Sequence, residues 1–406
     1  MNAHTYRIVL MGCALPMLAA ATAHADALHD WNSAACQTLL TAKAPPGPAY
    51  RAIAITQTAV YESINAITGH YSGSRPELPA SPDASTDAAI AAATHSALVA
   101  LVPAQQPDLD AAFQAALSKI PDGAAKSDGI AVGEMAAARL LSERASDGFD
   151  AVESYRPLTT PGTYVPTTLP LATQWPKRKP WNLSSPDQFR PGPPPALDSE
   201  RWARDLNECK EMGGKSSAAR TPEQTDVIHF WETTSPIVYF PLVHSVTQTD
   251  GRDLTSNARL LALAGQAMDD ALIAVFDAKY TYSFWRPLTA IRNADMDDNA
   301  ATEREPTWLP AIDTPMHPEY PCAHCTIAAA VAAVIAAEHP STPLQSTSPG
   351  LPGKTRTWSS TEALVTEVIN ARVWSGVHYR NSGNVGAKLG RHVGERAVSR
   401  APQATK

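Results

Sequence analysis

Three separated groups of basic and imidazole side chains stand in the second half of this 406-residue chain: Lys279 with Arg286-Pro287, His324 within Pro321-Cys322-Ala323-His324, and Arg372 with His378. Guanidinium forks and an ammonium group match the oxygens of a tetrahedral oxyanion. Imidazole can carry a proton or ligate a metal near neutral pH. If the groups meet, the chemistry they offer is oxyanion binding with an acid–base group at hand. Any one buried cation could equally close a structural ion pair. Five basic side chains on inward faces point instead to a shared site.

The elements that would position them can be read from periodicity. From Asn257 to Tyr280, Leu261, Ala264, Met268, Leu272, Val275 and Lys279 recur at three- and four-residue steps, so Lys279 faces the core and needs an anion beside it. Arg286 precedes a proline, which disfavours helix at that residue and bends the chain. A proline-rich, extended entry from Thr314 to Pro321 runs into an alanine-rich helix ending near Glu338, and His324 lies in its first turn on the stripe of Ala328, Val331 and Ile335. Unpaired amides at that helix start attract anions. A further helix starts near Ser360 with Leu364, Val365, Val368, Ile369 and Arg372 inward, and Gly376 offers a place to end it and turn His378 back.

On these residues the chain resembles the vanadium-dependent haloperoxidase and type 2 phosphatidic acid phosphatase superfamily, whose pattern runs K-x6-R-P, then P-S-G-H, then S-R-x5-H-x3-D. Lys279, Arg286-Pro287, Pro321, His324, Arg372 and His378 stand at those spacings, and the text from Lys279 to Arg292 is similar to the haloperoxidase branch in particular. The sequence departs where Cys322 and Ala323 replace serine and glycine, Ala371 replaces serine, and Ser382 stands in place of the aspartate. With that aspartate gone, the carboxylate that would orient His378 is expected to be missing.

The resemblance implies a vanadate cofactor held through its oxygens by Lys279, Arg286 and Arg372, beside Cys322 and Ala323, and coordinated at vanadium by His378. His324 is then the acid–base group, and the reaction is halide oxidation by hydrogen peroxide. Phosphate can occupy the same site. The alternative reading is an exported phosphatase that hydrolyses phosphate monoesters, with His378 as nucleophile and His324 protonating the leaving oxygen. A third is an oxyanion-binding protein without turnover.

Composition narrows the class. A net charge of −7 without a basic cluster argues against a nucleic-acid partner, and 44% apolar residues in a chain this long can bury a large core. Residues 1–25, with Arg7, an apolar run and Ala23-His24-Ala25, read as a cleaved export signal, so the mature protein is expected in the periplasm or secreted. No later run approaches the roughly 18 apolar residues of a membrane span. Cys36, Cys209, Cys322 and Cys325 follow the signal, and four cysteines allow three pairings. A peroxidase would be expected to hold Cys322 in a disulfide with Cys325, Cys36 or Cys209.

The fold class expected is all-α, as two packed helical bundles. Residues 26–150 form an N-terminal helical part, 151–198 a long proline-rich connection and 199–400 the helical part with the anion site. Thr221-Pro222-Glu223-Gln224 reads as a capping box, and Gly133 with Ala137 as a close helix contact. Strand signals are absent. Asp269-Asp270 is read as a structural ion pair, His95 as a packed or surface histidine, and Asp295, Asp297 and Asp298 as a solvated acidic loop.

Overall fold

Thirteen α-helices form among the described residues, which in this computed structural model are 24–72, 78–249, 251–339 and 342–405. The expected leader lies outside them apart from His24 and Ala25. The first five helices are α1 (His24–Thr41), α2 (Pro46–Thr68), α3 (Thr86–Leu101), α4 (Gln106–Leu117) and α5 (Ala124–Arg144). After an irregular stretch come α6 (Glu200–Gly213), α7 (Pro222–Phe230), α8 (Pro236–Thr247), α9 (Leu254–Tyr282) and α10 (Pro287–Arg292). The last three are α11 (Ala323–Glu338), α12 (Thr361–Trp374) and α13 (Arg380–Ser399). No helix among the described residues is long and apolar enough to cross a membrane.

The protein is all-α, and α9 is the helix around which the others pack. Apolar residues surround it on every side, so it is buried through almost its whole length, from Leu260 to Lys279, rather than along one stripe. The N-terminal bundle meets it through α2, where Gly265 lets the backbone of α9 approach Ala54. Within that bundle Gly133 packs onto the backbone of α3 at Ala89 and Ala93. On its other side α9 meets α11 and α13.

Gly386, Gly390 and Gly394, one per turn of α13, each lie against a carbonyl of α11, namely Cys322, Thr326 and Ala330. A side chain at any of them would overlap that carbonyl, so the stripe fixes how closely the start of α11 is held. The capping box at Thr221 forms, with Pro222 in the first turn of α7.

The irregular stretch after α5 is anchored by charge. Arg178 reaches both oxygens of Asp269 on α9, at 2.6 and 3.0 Å, and Asp147 at 2.8 Å. Asp270 accepts the backbone amides of Trp181 and Asn182 at 2.7 and 2.8 Å. Asp269 is therefore in an ion pair, and Asp270 serves as a backbone clamp.

Two features differ from the sequence reading. Leu344–Thr347 (β1) and Thr355–Trp358 (β2) pair as a small antiparallel hairpin. Their short polar alternation, around a Pro/Gly-rich turn, is too brief to stand out as strand. Asp297 is also buried rather than solvated, because its carboxylate accepts the indole N–H of Trp202 at 2.7 Å and the hydroxyl of Thr302. His95 pairs with Asp110 at 2.6 Å and stacks on Phe113.

Candidate active site

Helix ends gather the basic groups. Lys279 is in the last turn of α9, Arg286 caps the start of α10, Cys322 caps α11 with Ala323 and His324 next, and Arg372 is in the last turn of α12. His378 lies in the link to α13. Gly376 makes that link possible, since its φ of 74° is in the left-handed region and its Cα packs against Gly213. The chain thereby turns back, and His378 enters the same buried cluster.

Each donor is held in place by backbone. Lys279 Nζ donates to the carbonyls of Pro318 and Glu319 at 2.9 and 2.8 Å. Arg286 donates to the carbonyls of His317 and Val377 at 2.8 and 2.9 Å, to His317 Nδ1 at 2.9 Å, and to His378 Nε2 at 3.2 Å. Arg372 donates to the Trp231 carbonyl at 3.1 Å, while its buried Nε has no hydrogen-bond partner. The ring of His324 rests against the Thr234 hydroxyl. His324 is 8% exposed and is the member of the cluster nearest to solvent.

The missing orienting carboxylate is not missing. Glu319, fully buried, accepts His378 Nδ1–H at 2.7 Å and the Tyr379 amide at 3.1 Å. This corrects the expectation drawn from Ser382: a carboxylate from the segment before α11 does what an aspartate at position 382 would have done. Ser382 lies beside Glu319 and helps hold its charge, without closing a hydrogen bond of good geometry. Glu319 escaped the sequence reading, having no helical period to mark it. The available signal was an acid and an imidazole in the otherwise apolar, proline-rich run from Met316 to Pro321.

Nδ1–H donation to Glu319 fixes one tautomer of His378, with the Nε2 lone pair turned to Arg286 and the cage. The electrostatics fit an oxyanion. Burial pushes the Lys279 pKa well below its ordinary value, and Arg286 pushes it further. Burial, with Arg372 adding to it, brings Arg286 down to about 10, and Arg372 falls through burial too. His324 and His378 are held well below the usual imidazole range by burial and then by these cations. Against three strong bases stands one buried carboxylate, Glu319, which burial pushes up to about 7. Burial lowers these bases and the single carboxylate does not offset it, and among the described residues the Arg372 Nε donor has no acceptor.

The four cysteines in the described residues are free thiols, so the expected disulfide of Cys322 is not made. Cys322 and Cys325 are nevertheless in contact, with the Cys325 thiol donating to Cys322 Sγ at 2.7 Å. Neither Cys36 nor Cys209 is hydrogen-bonded to them.

Residues 259–406 match the family described as the VCPO second helical-bundle domain. The vanadium chloroperoxidase of Curvularia inaequalis is 33% identical over 149 residues, which covers 30% of this chain and 24% of that protein's length. Along nearly the whole chain, 94% of it and 97% of the other, the fold is similar to the crystal structure of a bacterial vanadium-dependent iodoperoxidase, at a TM-score of 0.79 and 21% identity. An apo bacterial vanadium-dependent chloroperoxidase gives 0.70 at 16% identity, covering 86% of this chain and 92% of that one. Residues 259–406 thus match the VCPO second helical-bundle domain, and the fold along nearly the whole chain is similar to that of the bacterial vanadium-dependent haloperoxidase structures.

Proposed function

We propose that the protein binds vanadate in the cage of Lys279, Arg286, Arg372 and His378 and oxidises halide with hydrogen peroxide. The observation that carries this reading is the 2.7 Å contact of His378 Nδ1 with Glu319, which presents Nε2 as a ligand among an excess of buried cations. Vanadate, when bound, supplies the Lewis-acid centre that activates peroxide toward halide. The chain's own part is positioning. Lys279 and the two arginines donate to the oxyanion's oxygens, and the first-turn amides of α11 at Ala323 and His324, outside the helical ladder, add donors.

His324 holds or releases the mobile proton. Its pKa is low because of burial and the cations, so an anion that neutralises them raises it toward the working pH. We place the working protein outside the cytoplasm, on the leader-like residues 1–25.

A second reading is favoured by one observation. Cys322 and Cys325 are thiols beside the cage, a state that ester hydrolysis would leave untouched and peroxide would not. In that reading His378 Nε2 attacks phosphorus of a phosphate monoester and His324 protonates the leaving oxygen. The test is a pair of assays on the purified protein, halide oxidation with vanadate and peroxide and phosphate ester hydrolysis without vanadate. Vanadate-dependent oxidation is the expected result. Hydrolysis without any oxidation would select the phosphatase, and phosphate binding with neither activity would leave an oxyanion binder.

A further inference from the structure

We propose that Cys322 and Cys325 form a redox pair that hydrogen peroxide closes into a disulfide, and that closure tightens the cage's hold on an oxyanion. The second half rests on the oxyanion reading of the cage.

The geometry is that of a paired thiol at a helix start. Cys322 Sγ caps α11, accepting the Cys325 amide at 3.4 Å and the Cys325 thiol at 2.7 Å. A neutral thiol is a weak acceptor and a poor helix cap, whereas a thiolate suits both the amide and the positive helix end. A C-x-x-C pair so placed makes its first cysteine the acidic one. Burial pushes the Cys322 thiol up, but the Cys325 hydrogen bond, Arg372 and Lys279 outweigh it and bring it down to about 7. Cys36 and Cys209, buried without such partners, are pushed well above the ordinary value and should be inert.

The charge on Cys322 is supplied to the same cations that hold the oxyanion. While reduced, the pair acts as an internal counter-ion to Arg372 and Lys279 and competes with an incoming anion. Oxidation removes it. The Cys322 thiolate attacks one peroxide oxygen, an S–O bond forms as the O–O bond breaks, and with one proton taken up a sulfenic acid and water result. Cys325 then attacks that sulfur, the S–O bond breaks, and its oxygen leaves with the Cys325 proton as a second water. Two thiols and one peroxide give a disulfide and two waters. The product is uncharged, so above about pH 7, where Cys322 is mostly thiolate, the cage is left with up to one more unit of unmet positive charge. For a partly buried site several ångströms away, that corresponds to a gain in anion affinity of about tenfold or more.

The experiment compares vanadate-free protein after thiol reduction with protein treated with hydrogen peroxide, which is then removed. Peptide mass mapping reads the link, and calorimetry reads the binding of inorganic phosphate. A Cys322–Cys325 disulfide with phosphate bound at least about tenfold more tightly is expected, reversed by reductant. Cys325→Ser should form no link and leave a sulfenic acid at Cys322 that a diketone probe traps. A pair that stays reduced in peroxide overturns the proposal, and so does a disulfide with unchanged phosphate affinity. Phosphate binding by neither form would overturn the reading of the cage and the affinity change together, while the mapping still decides the sulfur chemistry.

Discussion

Two buried charged clusters lie along α9, one at Asp269 and Asp270 near its middle and one at Lys279 in its last turn. The first sets Arg51, Arg144 and Arg178 against Asp147, Asp269 and Asp270. The second sets Lys279, Arg286 and Arg372 against Glu319. Depth of burial is the same, but the balance of charge is not. Arg178, at the centre of the first cluster, records the difference: burial pulls it down, but Asp269 and Asp147 more than offset it and hold it above its ordinary value, whereas Arg144 at the edge stays lowered by burial. Arg286 and Arg372 are left below theirs. A buried cluster that closes on itself holds the fold together, and one left open to one sign of charge is built for something brought from outside.

The largest test of that contrast is Arg178→Met. It leaves Asp147 and Asp269 buried without their shared cation, and removing one partner of a buried pair costs about 3–5 kcal/mol. Urea unfolding of the variant should show a loss of that size, with the irregular stretch around Trp181 becoming sensitive to protease. A loss below about 1 kcal/mol would mean that the balanced cluster does not anchor the stretch.

Asp270 gives the balanced cluster a pH dependence. Burial raises its pKa to about 7, against the pull of the Trp181 and Asn182 amides. Between about pH 4 and 7 the folded protein therefore keeps a proton that the unfolded chain has lost, so stability falls as pH rises through this window and levels off above it. A shift of about three units corresponds to about 4 kcal/mol as an upper figure. Asp270→Asn should flatten that part of the slope, measured as the difference between wild type and variant at pH 5 and pH 8. An unchanged difference would place the Asp270 proton elsewhere.

Where the sequence was legible, helical period made it so. Lys279, His324 and Arg372 were placed inward by apolar stripes that the helices then followed, and Gly376 marked the turn that brings His378 back. Glu319 was illegible for the opposite reason, since it reaches His378 across 59 positions from a segment without any period. The helix α13 was unread because its glycines, poor helix formers singly, are selected for contact with α11. The helix α8, with Pro241 inside it, was disguised by a residue that ordinarily breaks helices. Burial of Asp297 depends on Trp202, which no local pattern links to it.

Within the open cluster Glu319 is the carboxylate that meets His378, and its work is to orient that ring. Glu319→Ala should weaken vanadate binding by about 10–100-fold, the usual loss when the partner of a ligating histidine is removed. Nitrogen NMR of His378 should at the same time show a mixture of ring tautomers in place of one. Ser382→Asp added to that variant should recover part of the affinity, because position 382 already lies beside Glu319. If Glu319→Ala leaves both affinity and tautomer unchanged, Nε2 is directed by Arg286 alone.

The smallest expected effect is on the stability of the vanadate-free and phosphate-free protein when a cation is taken from the open cluster. Arg372→Gln forfeits one hydrogen bond to the Trp231 carbonyl, a net loss of about 1 kcal/mol. It also removes a buried donor without an acceptor and relieves repulsion with Arg286. These oppose each other, so the variant should unfold within about 1 kcal/mol of wild type, in contrast to Arg178→Met. Phosphate separates the two further. At a hundred times its dissociation constant, a ligand that binds only the folded state adds about 2.7 kcal/mol to stability. Wild type should gain that increment, and Arg372→Gln should lose most of it at the same phosphate concentration. A loss of 3–5 kcal/mol in Arg372→Gln without any anion would make Arg372 a structural partner like Arg178, and the contrast between closed and open clusters would fail at the residue where it is sharpest.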